Sequence, residues 1–216
     1  MKKTKNALVI LAGGIGSRFG KKFPKQFIQI NGENLIYFFL KRIEYNKFDN
    51  IVVVHKKSHY KYISKLKVDF PLTNFLFTNA GKNRQSSSFN ALKKLMKLNP
   101  KKVLIHDAAR PFCSNKLILK ILNQLEKKYS VIPYINTPDK KMILKKEFNK
   151  NLKSIQTPQG FDFKTILEGH KNTFITNAKD DSIIIPENKL NFINGERLNI
   201  KITYKEDINY FKLFYK

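Results

Sequence analysis

The sequence predicts an α/β fold: a three-layer, mainly parallel sheet with a projecting β-arm. Two observations lead there. Apolar runs of strand length recur along the chain, with helix-patterned segments between them. These runs are continuously apolar rather than alternating, as expected for strands buried on both faces. Strands and helices that alternate so regularly are joined by right-handed crossovers. A sheet of this kind takes its ligands at the carboxyl ends of its strands.

The elements follow in order. The opening MKKTKNALVILAGG imitates the basic start of a signal peptide, but its apolar stretch is short and runs into Gly and Arg, so residues 7–12 are read as a buried first strand. Residues 35–45 read as a helix, 50–55 as a strand, 58–67 as a helix and 74–78 as a strand. In the helix expected at 86–98, Phe89, Leu92, Leu95 and Met96 fall at helical spacing, which assigns them to the core. Strand 102–107, helix 114–128 and strand 130–135 complete the alternation. After Pro138 the pattern breaks into two short strands, 140–146 and 152–156, around the turn-prone 147–151. Residues 137–157 are therefore expected to form an arm that contacts a partner chain. A strand-like 199–203 precedes a final helix at 205–215. No repeat, low-complexity tract or long linker divides the chain, so 1–216 is expected to be one domain.

Composition narrows the partners. With 42% apolar and 12% aromatic residues the chain is globular in character, despite a formal charge of +26. That charge attracts polyanions without choosing among them. The lysines are spread evenly and form no block, as on a solvated surface. A nucleic-acid-binding protein, the alternative from another class, predicts a basic stripe interleaved with exposed aromatics. Here most aromatics lie in core-patterned runs, so no specific nucleic-acid partner is expected. Cys113 is the one cysteine, which excludes an intrachain disulfide and fits a reducing, cytoplasmic setting. No apolar run approaches the roughly 18 residues that span a bilayer, so no membrane association is expected. The four histidines form no H-E-x-x-H pattern, and no G-x-S-x-G elbow is present. Asp180 and Asp181 are read as solvated acids in a helix first turn rather than as metal ligands.

The segment 11–27, LAGGIGSRFGKKFPKQF, follows the first strand, where a phosphate is expected. Two common phosphate patterns fail there by one position. Ile15 stands where a P-loop needs Gly, and Phe19 where the dinucleotide pattern does. What remains is Gly13, Gly14 and Gly16, then Arg18 and Lys25. Glycines let the backbone approach a phosphate, and the two cations can grip different oxygens. Lys21 and Lys22 are read as solvated neighbours.

LAGGIGSRFG followed by FPKQF resembles the signature of nucleotidyltransferases acting on sugar or polyol phosphates. The PKQ form, Pro24-Lys25-Gln26, resembles the 2-C-methyl-D-erythritol 4-phosphate cytidylyltransferase family of isoprenoid precursor synthesis. Four more segments agree in order and spacing: AGKNRQSS around Arg84 and Ser87, IHDAARPF at 105–112, QTPQGF at 156–161 and NIKIT at 199–203.

This resemblance implies a Rossmann-like nucleotidyltransferase domain and transfer of CMP from CTP to a polyol phosphate. It implies catalytic roles for Arg18, Lys25 and Lys201. Ala12, Gly13, Gly14, Ala80, Gly81, Lys82, Ser87 and Ala108 would hold the nucleotide. Asp107, Arg110, Thr137 and Thr157 would hold the acceptor. Two simpler readings stay open: Ser87 as a helix starter, and Asp107 with Arg110 as an ion pair organising its loop. Mg2+ held mainly by the CTP phosphates, and a homodimer formed through the arm, are also implied.

The chain departs from the family pattern at three places. Asn149 stands where the family has an arginine, Lys179 where a Thr precedes the Asp pair, and Ala80 where a Gly is usual. Lys150 or Lys153 is available to replace the missing cation. Another polyol phosphate, such as ribitol 5-phosphate, is the alternative acceptor.

Overall fold

The computed structural model describes residues 5–14, 16, 24–29, 32–136, 142–143, 146–147 and 153–210. The first strand, β1 (Asn6–Leu11), holds Ala7, Leu8, Val9 and Ile10 wholly buried at the centre of the main sheet. It pairs in parallel with β2 (Asn50–His55) on one side and β4 (Lys102–Asp107) on the other, and β2 pairs in parallel with β3 (Asn74–Asn79). Continuous apolar character is thus explained: β2 and β4 are buried at every position.

Helices cover both faces, and side chains that alternate along each strand sort into two layers. Leu8, Ile10, Ile51 and Val53 pack with Phe39 of α1 (Leu35–Lys41) and with Leu117 and Ile121 of α4 (Asn115–Gln124). Ala7, Val9, Val52 and Val54 pack with Leu92 and Leu95 of α3 (Arg84–Leu95) and Ile166 of α5 (Phe163–Asn172). Of the four residues expected in the α3 core stripe, Leu92 and Leu95 are buried. Met96 is largely exposed, and Phe89 stacks on His170 at the partly open edge.

Polar residues set where helices start. Asn34 accepts from the N–H groups of Ile36 and Tyr37, Asn83 from Ser86, and Ser114 from Leu117. The helix expected over 35–45 stops at Lys41 and resumes as a 3-10 turn, Tyr45–Lys47. The one expected over 58–67 divides into a 3-10 turn, Lys57–Tyr62, and the short α2, Leu66–Asp69. Both segments are rich in aromatic and β-branched residues, which hold a helix poorly.

Beyond β4 the order changes. β5 (Ser130–Asn136) does not lie against β4. An unexpected strand, β9 (Gln159–Asp162), lies between them and runs antiparallel to both. The described order in the main sheet is β10 (Phe192–Asn194), β5, β9, β4, β1, β2, β3. QGFD carries too little apolar signal to read as a central strand. Gly160 is needed there, because a Cβ would sit 2.4 Å from Ile121 Cγ2.

The arm also pairs differently from expectation. β6 (Met142–Ile143) pairs with β7 (Lys146–Glu147), so Glu147 lies in a strand rather than in the turn. β8 (Lys153–Ile155) returns to pair antiparallel with β5. Lys153 lies over the rings of Tyr134 on β5 and Phe192 on β10. Asn149, Lys150 and Thr137 fall outside the described residues, as do Arg18, Lys21 and Lys22. Residues 199–203 are not a strand but a loop; the final helix expected over 205–215 opens as a 3-10 turn, Lys205–Ile208, with Asn209 and Tyr210 helical after it, and 211–215 lie outside the described residues. Among the described residues no helix is long and apolar enough to cross a membrane.

Candidate active site

A cleft of about 640 Å³ opens at the carboxyl ends of the parallel strands. Gly13, Gly14 and Gly16 follow β1, Lys56 follows β2, Gly81 to Ser87 lead from β3 into α3, and Asp107 ends β4. Lys25, Gln26 and Lys201 complete the wall.

The glycine loop is clamped from behind. Gln26 is buried, and its amide donates to the carbonyls of Ala12 (2.6 Å) and Gly14 (2.8 Å). The N–H of Ala12 is taken by the Val54 carbonyl, so Ala12 anchors the loop from below rather than lining the cleft. A Cβ on Gly13 would stand 2.4 Å from the Cβ of Ala80, which explains why the methyl of Ala80 is tolerated only opposite a glycine. Ser87 accepts from the N–H of Gly81 (3.0 Å) and donates to the carbonyl of Asn83 (2.8 Å). The helix cap is Asn83, so Ser87 is not needed to start α3, and its hydroxyl fixes the loop 80–82.

The loop 199–203 crosses the cleft wall because side chains from distant segments hold its backbone. Arg110 donates to the carbonyl of Asn199 (2.7 Å), Gln156 to the same carbonyl (3.2 Å), and the N–H of Ile202 to the carbonyl of Ala109 (2.8 Å). Lys25 Nζ reaches the Ile202 carbonyl at 2.5 Å, 177 positions along the chain. Lys25 and Lys201 therefore meet at one segment.

The Asp107 carboxylate makes no ion pair with Arg110, contrary to the simpler reading of that loop; the two residues are joined through the backbone, the Arg110 N–H donating to the Asp107 carbonyl at 2.9 Å. Its carboxylate takes Arg84 Nε at 3.3 Å and Lys201 Nζ at 2.5 Å, while Arg110 serves backbone carbonyls. Burial raises the Asp107 carboxyl, but Arg84 and Lys201 outweigh it and hold the group well below the ordinary carboxylate range. Its N–H donates to Thr157 Oγ1 at 3.0 Å. Thr157 lies beneath Asp107, buried, as does His106, whose ring stacks on Phe39. His106 Nε2 faces the Arg110 carbonyl and Nδ1 the Thr157 hydroxyl, so the neutral Nε2–H tautomer satisfies both. Burial pushes its pKa down to about 3.

Of the residues predicted from sequence, Gly13, Gly14, Lys25, Gly81, Lys82, Ser87, Asp107 and Lys201 line the cleft. Ala12, Ala80, Ala108, Arg110 and Thr157 support it from behind. Sequence reasoning missed Gln26, Lys56 and above all Arg84. Arg84 bridges Asp107 and Asp181, with Nη1 2.5 Å from Asp181 Oδ2. Asp181 is 1% exposed, not solvated, and Asp180 caps the following 3-10 turn while accepting from Gln159. Cys113 is buried and its thiol is pushed up by burial.

Among the described residues no three His, Cys, Asp or Glu side chains converge as metal ligands. Among the described residues the cleft wall carries one carboxylate, Asp107, whose oxygens already hold Arg84 and Lys201. Such a donor set fits a Mg2+ carried mainly by nucleotide phosphates.

The model of the family described as 2-C-methyl-D-erythritol 4-phosphate cytidylyltransferase matches residues 6–215. The chain is 35% identical to the bifunctional enzyme IspD/IspF of Wolbachia pipientis wMel, of which it spans only 57%. It is 34% identical to the 2-C-methyl-D-erythritol 4-phosphate cytidylyltransferase of Clostridium beijerinckii, with 96% of this chain and 97% of that one covered. A solved structure, 4-diphosphocytidyl-2C-methyl-D-erythritol synthase from Anaerococcus prevotii, superposes with a TM-score of 0.84 at 26% identity, covering 99% of this chain and 96% of that one.

Proposed function

The chain belongs to the 2-C-methyl-D-erythritol 4-phosphate cytidylyltransferase family, and from that membership and its cleft we propose that it transfers CMP from CTP to 2-C-methyl-D-erythritol 4-phosphate. The products are 4-diphosphocytidyl-2-C-methyl-D-erythritol and pyrophosphate, a step of isoprenoid precursor synthesis. The observation that carries this reading is the meeting of Lys25 and Lys201 at the Ile202 segment, opposite a glycine loop at the ends of parallel strands.

An oxygen of the acceptor phosphate attacks the α-phosphorus of CTP. The new P–O bond forms as the α–β bridging bond breaks, and pyrophosphate leaves with the electron pair. A phosphate monoester is already anionic at neutral pH, so no general base is required, and catalysis reduces to positioning and charge neutralisation. Lys25 and Arg18 neutralise charge at the α-phosphate and leaving group. Lys201, steadied by Asp107, reaches the phosphates. The backbone of Gly13, Gly14 and 80–82, with Ser87, holds the nucleotide, Ala12 and Ala80 setting that backbone and Ala108 lying close to the ribose. Asp107, with Thr137, orients the acceptor, while Thr157 and Arg110 fix the loops that carry Asp107 and Lys201. Bound Mg2+ would add charge neutralisation on the triphosphate and would be held mainly by the phosphates, since both oxygens of Asp107 are taken by Arg84 and Lys201. The single domain 1–216, its cytoplasmic setting and a homodimer through the arm at 137–157 belong to the same reading.

The test is pyrophosphate release from CTP and magnesium with each acceptor. Turnover is expected with 2-C-methyl-D-erythritol 4-phosphate. Faster turnover with ribitol 5-phosphate would replace the acceptor, and salt-sensitive RNA binding without CTP turnover would replace the reaction. Sedimentation velocity of the full chain tests the dimer; a monomer at micromolar concentration removes it.

A further inference from the structure

A run of linked polar side chains leads from behind the cleft wall into the cleft, and its inner members, His170 and Asp181, lie on elements the reaction does not otherwise use. Asp181 divides its carboxylate, Oδ2 to Arg84 Nη1 (2.5 Å) and Oδ1 to His170 Nε2 (3.2 Å). Arg84 divides its guanidinium between Asp181 and Asp107, and Asp107 divides its carboxylate between Arg84 and Lys201. The sequence His170, Asp181, Arg84, Asp107, Lys201 thus runs from the last turn of α5 to the cleft, with each member between two others held by both. His170 and Asp181 are each 1% exposed at the side chain, and His170 is stacked on Phe89 with its ring centroid 5.5 Å away.

Local structure does not require this use of Asp181. The turn it begins is capped by Asp180, which accepts from the N–H and hydroxyl of Ser182. Holding two helices together does not require it either, since well-packed apolar side chains do that at least as well as a buried ion pair. What an alternating run of split carboxylates does supply is orientation, because none of the groups can rotate without losing a bond.

We propose that His170 and Asp181 are a positioning couple for the acceptor half of the reaction: through Arg84 they fix the Asp107 carboxylate, and with it the place of Lys201 in the cleft. The inference rests on the cytidylyl-transfer reading above. Without the His170 donor, Asp181 turns both oxygens onto Arg84, which is the preferred bidentate geometry. The guanidinium is then drawn from Asp107, which is left to grip Lys201 alone. The nucleotide loops at Gly13 and Gly81 are held by Gln26 and Ser87 and feel little of this.

The test compares His170→Leu, His170→Gln and Asp181→Asn with the unaltered full chain, each first checked for folding by thermal unfolding. His170→Leu and Asp181→Asn are expected to lower kcat about tenfold or more and to raise the acceptor KM, with direct CTP binding changed less than about threefold. Glutamine can present an N–H to Asp181 and is expected to restore kcat to within about threefold. A folded His170→Leu with ordinary kcat and KM overturns the proposal, as does equal loss of CTP and acceptor binding. So does a folded glutamine variant no better than leucine. If neither His170→Leu nor Asp181→Asn folds, the couple is structural and the proposal also fails. Absence of turnover in the unaltered chain is a separate result that overturns the reaction itself. In that case the couple is judged by the solvent exchange of the Arg84 Nε–H in nuclear magnetic resonance, which His170→Leu is expected to speed and His170→Gln to leave slow.

Discussion

The Nζ of Lys201 lies 2.5 Å from Oδ2 of Asp107, across 94 positions of sequence. A flexible lysine on a loop is thereby held at one place in the cleft, and the carboxylate that holds it is itself held by Arg84. Replacing Asp107 with Asn keeps the shape but removes the charge between two cations. The expected outcome is a loss of stability of about 3 kcal/mol or more, as for a broken buried pair, read by urea unfolding. Turnover is expected to fall about a hundredfold, because Lys201 is no longer placed. Unchanged turnover in a folded Asp107→Asn protein would separate Lys201 from the site.

Lys25 touches the backbone carbonyl of Ile202 and lines the cleft. Lys25→Ala is expected to lower kcat by about 10²–10³-fold, the range for losing a preorganised group that stabilises charge in a transition state. Lys25 is not among the buried core side chains, so the melting temperature is expected to stay within a few degrees. Near-normal kcat would remove Lys25 from the chemistry.

Gly13 and Ala80 face each other with no room for a second methyl, since an added Cβ would lie 2.4 Å from that of Ala80. Gly13→Ala is expected to push the two nucleotide loops apart and raise the KM for CTP at least about tenfold. The double change Gly13→Ala with Ala80→Gly returns the space and is expected to recover most of the affinity. Equal defects in the single and double variants would show that the steric account is wrong.

His106 is buried neutral, its pKa lowered from 6.5 to about 3 by burial. Between those values the unfolded chain takes up a proton that the folded chain refuses, so stability falls as pH drops through this window. From pH 7 to pH 5 this group alone removes about 2 kcal/mol. His106→Gln, measured by urea unfolding at both pH values, is expected to be less stable at pH 7 but to lose less between them. An identical slope in both proteins would contradict the buried neutral state. Asp107 and Asp181, both depressed in the fold, add a loss at lower pH, beginning as the unfolded carboxylates protonate near pH 4.

The sequence by itself determined the α/β class, the parallel strands β1 to β4 and the glycine loop. Each is written in a short contiguous segment: four wholly buried residues at 7–10, an unbroken apolar run at 51–54, three glycines within 13–16. Motifs read in order also named most of the cleft wall. Only the tertiary structure decided the rest, because it depends on residues that are distant in the chain and unremarkable alone. β9 enters between β4 and β5 although Gln159 and Gly160 carry no strand signal, since their burial is supported by partners in Asp180 and Ile121. Arg84 is one basic residue among 42, and becomes central only when Asp107 and Asp181 converge on it. Asp181, read in sequence as a solvated acid, is buried because His170 and Arg84 arrive to compensate its charge. Local pattern decides a segment where its apolar run is continuous, whereas the placement of a weakly patterned strand and the partners of a buried charge are chosen by the packing of the whole chain.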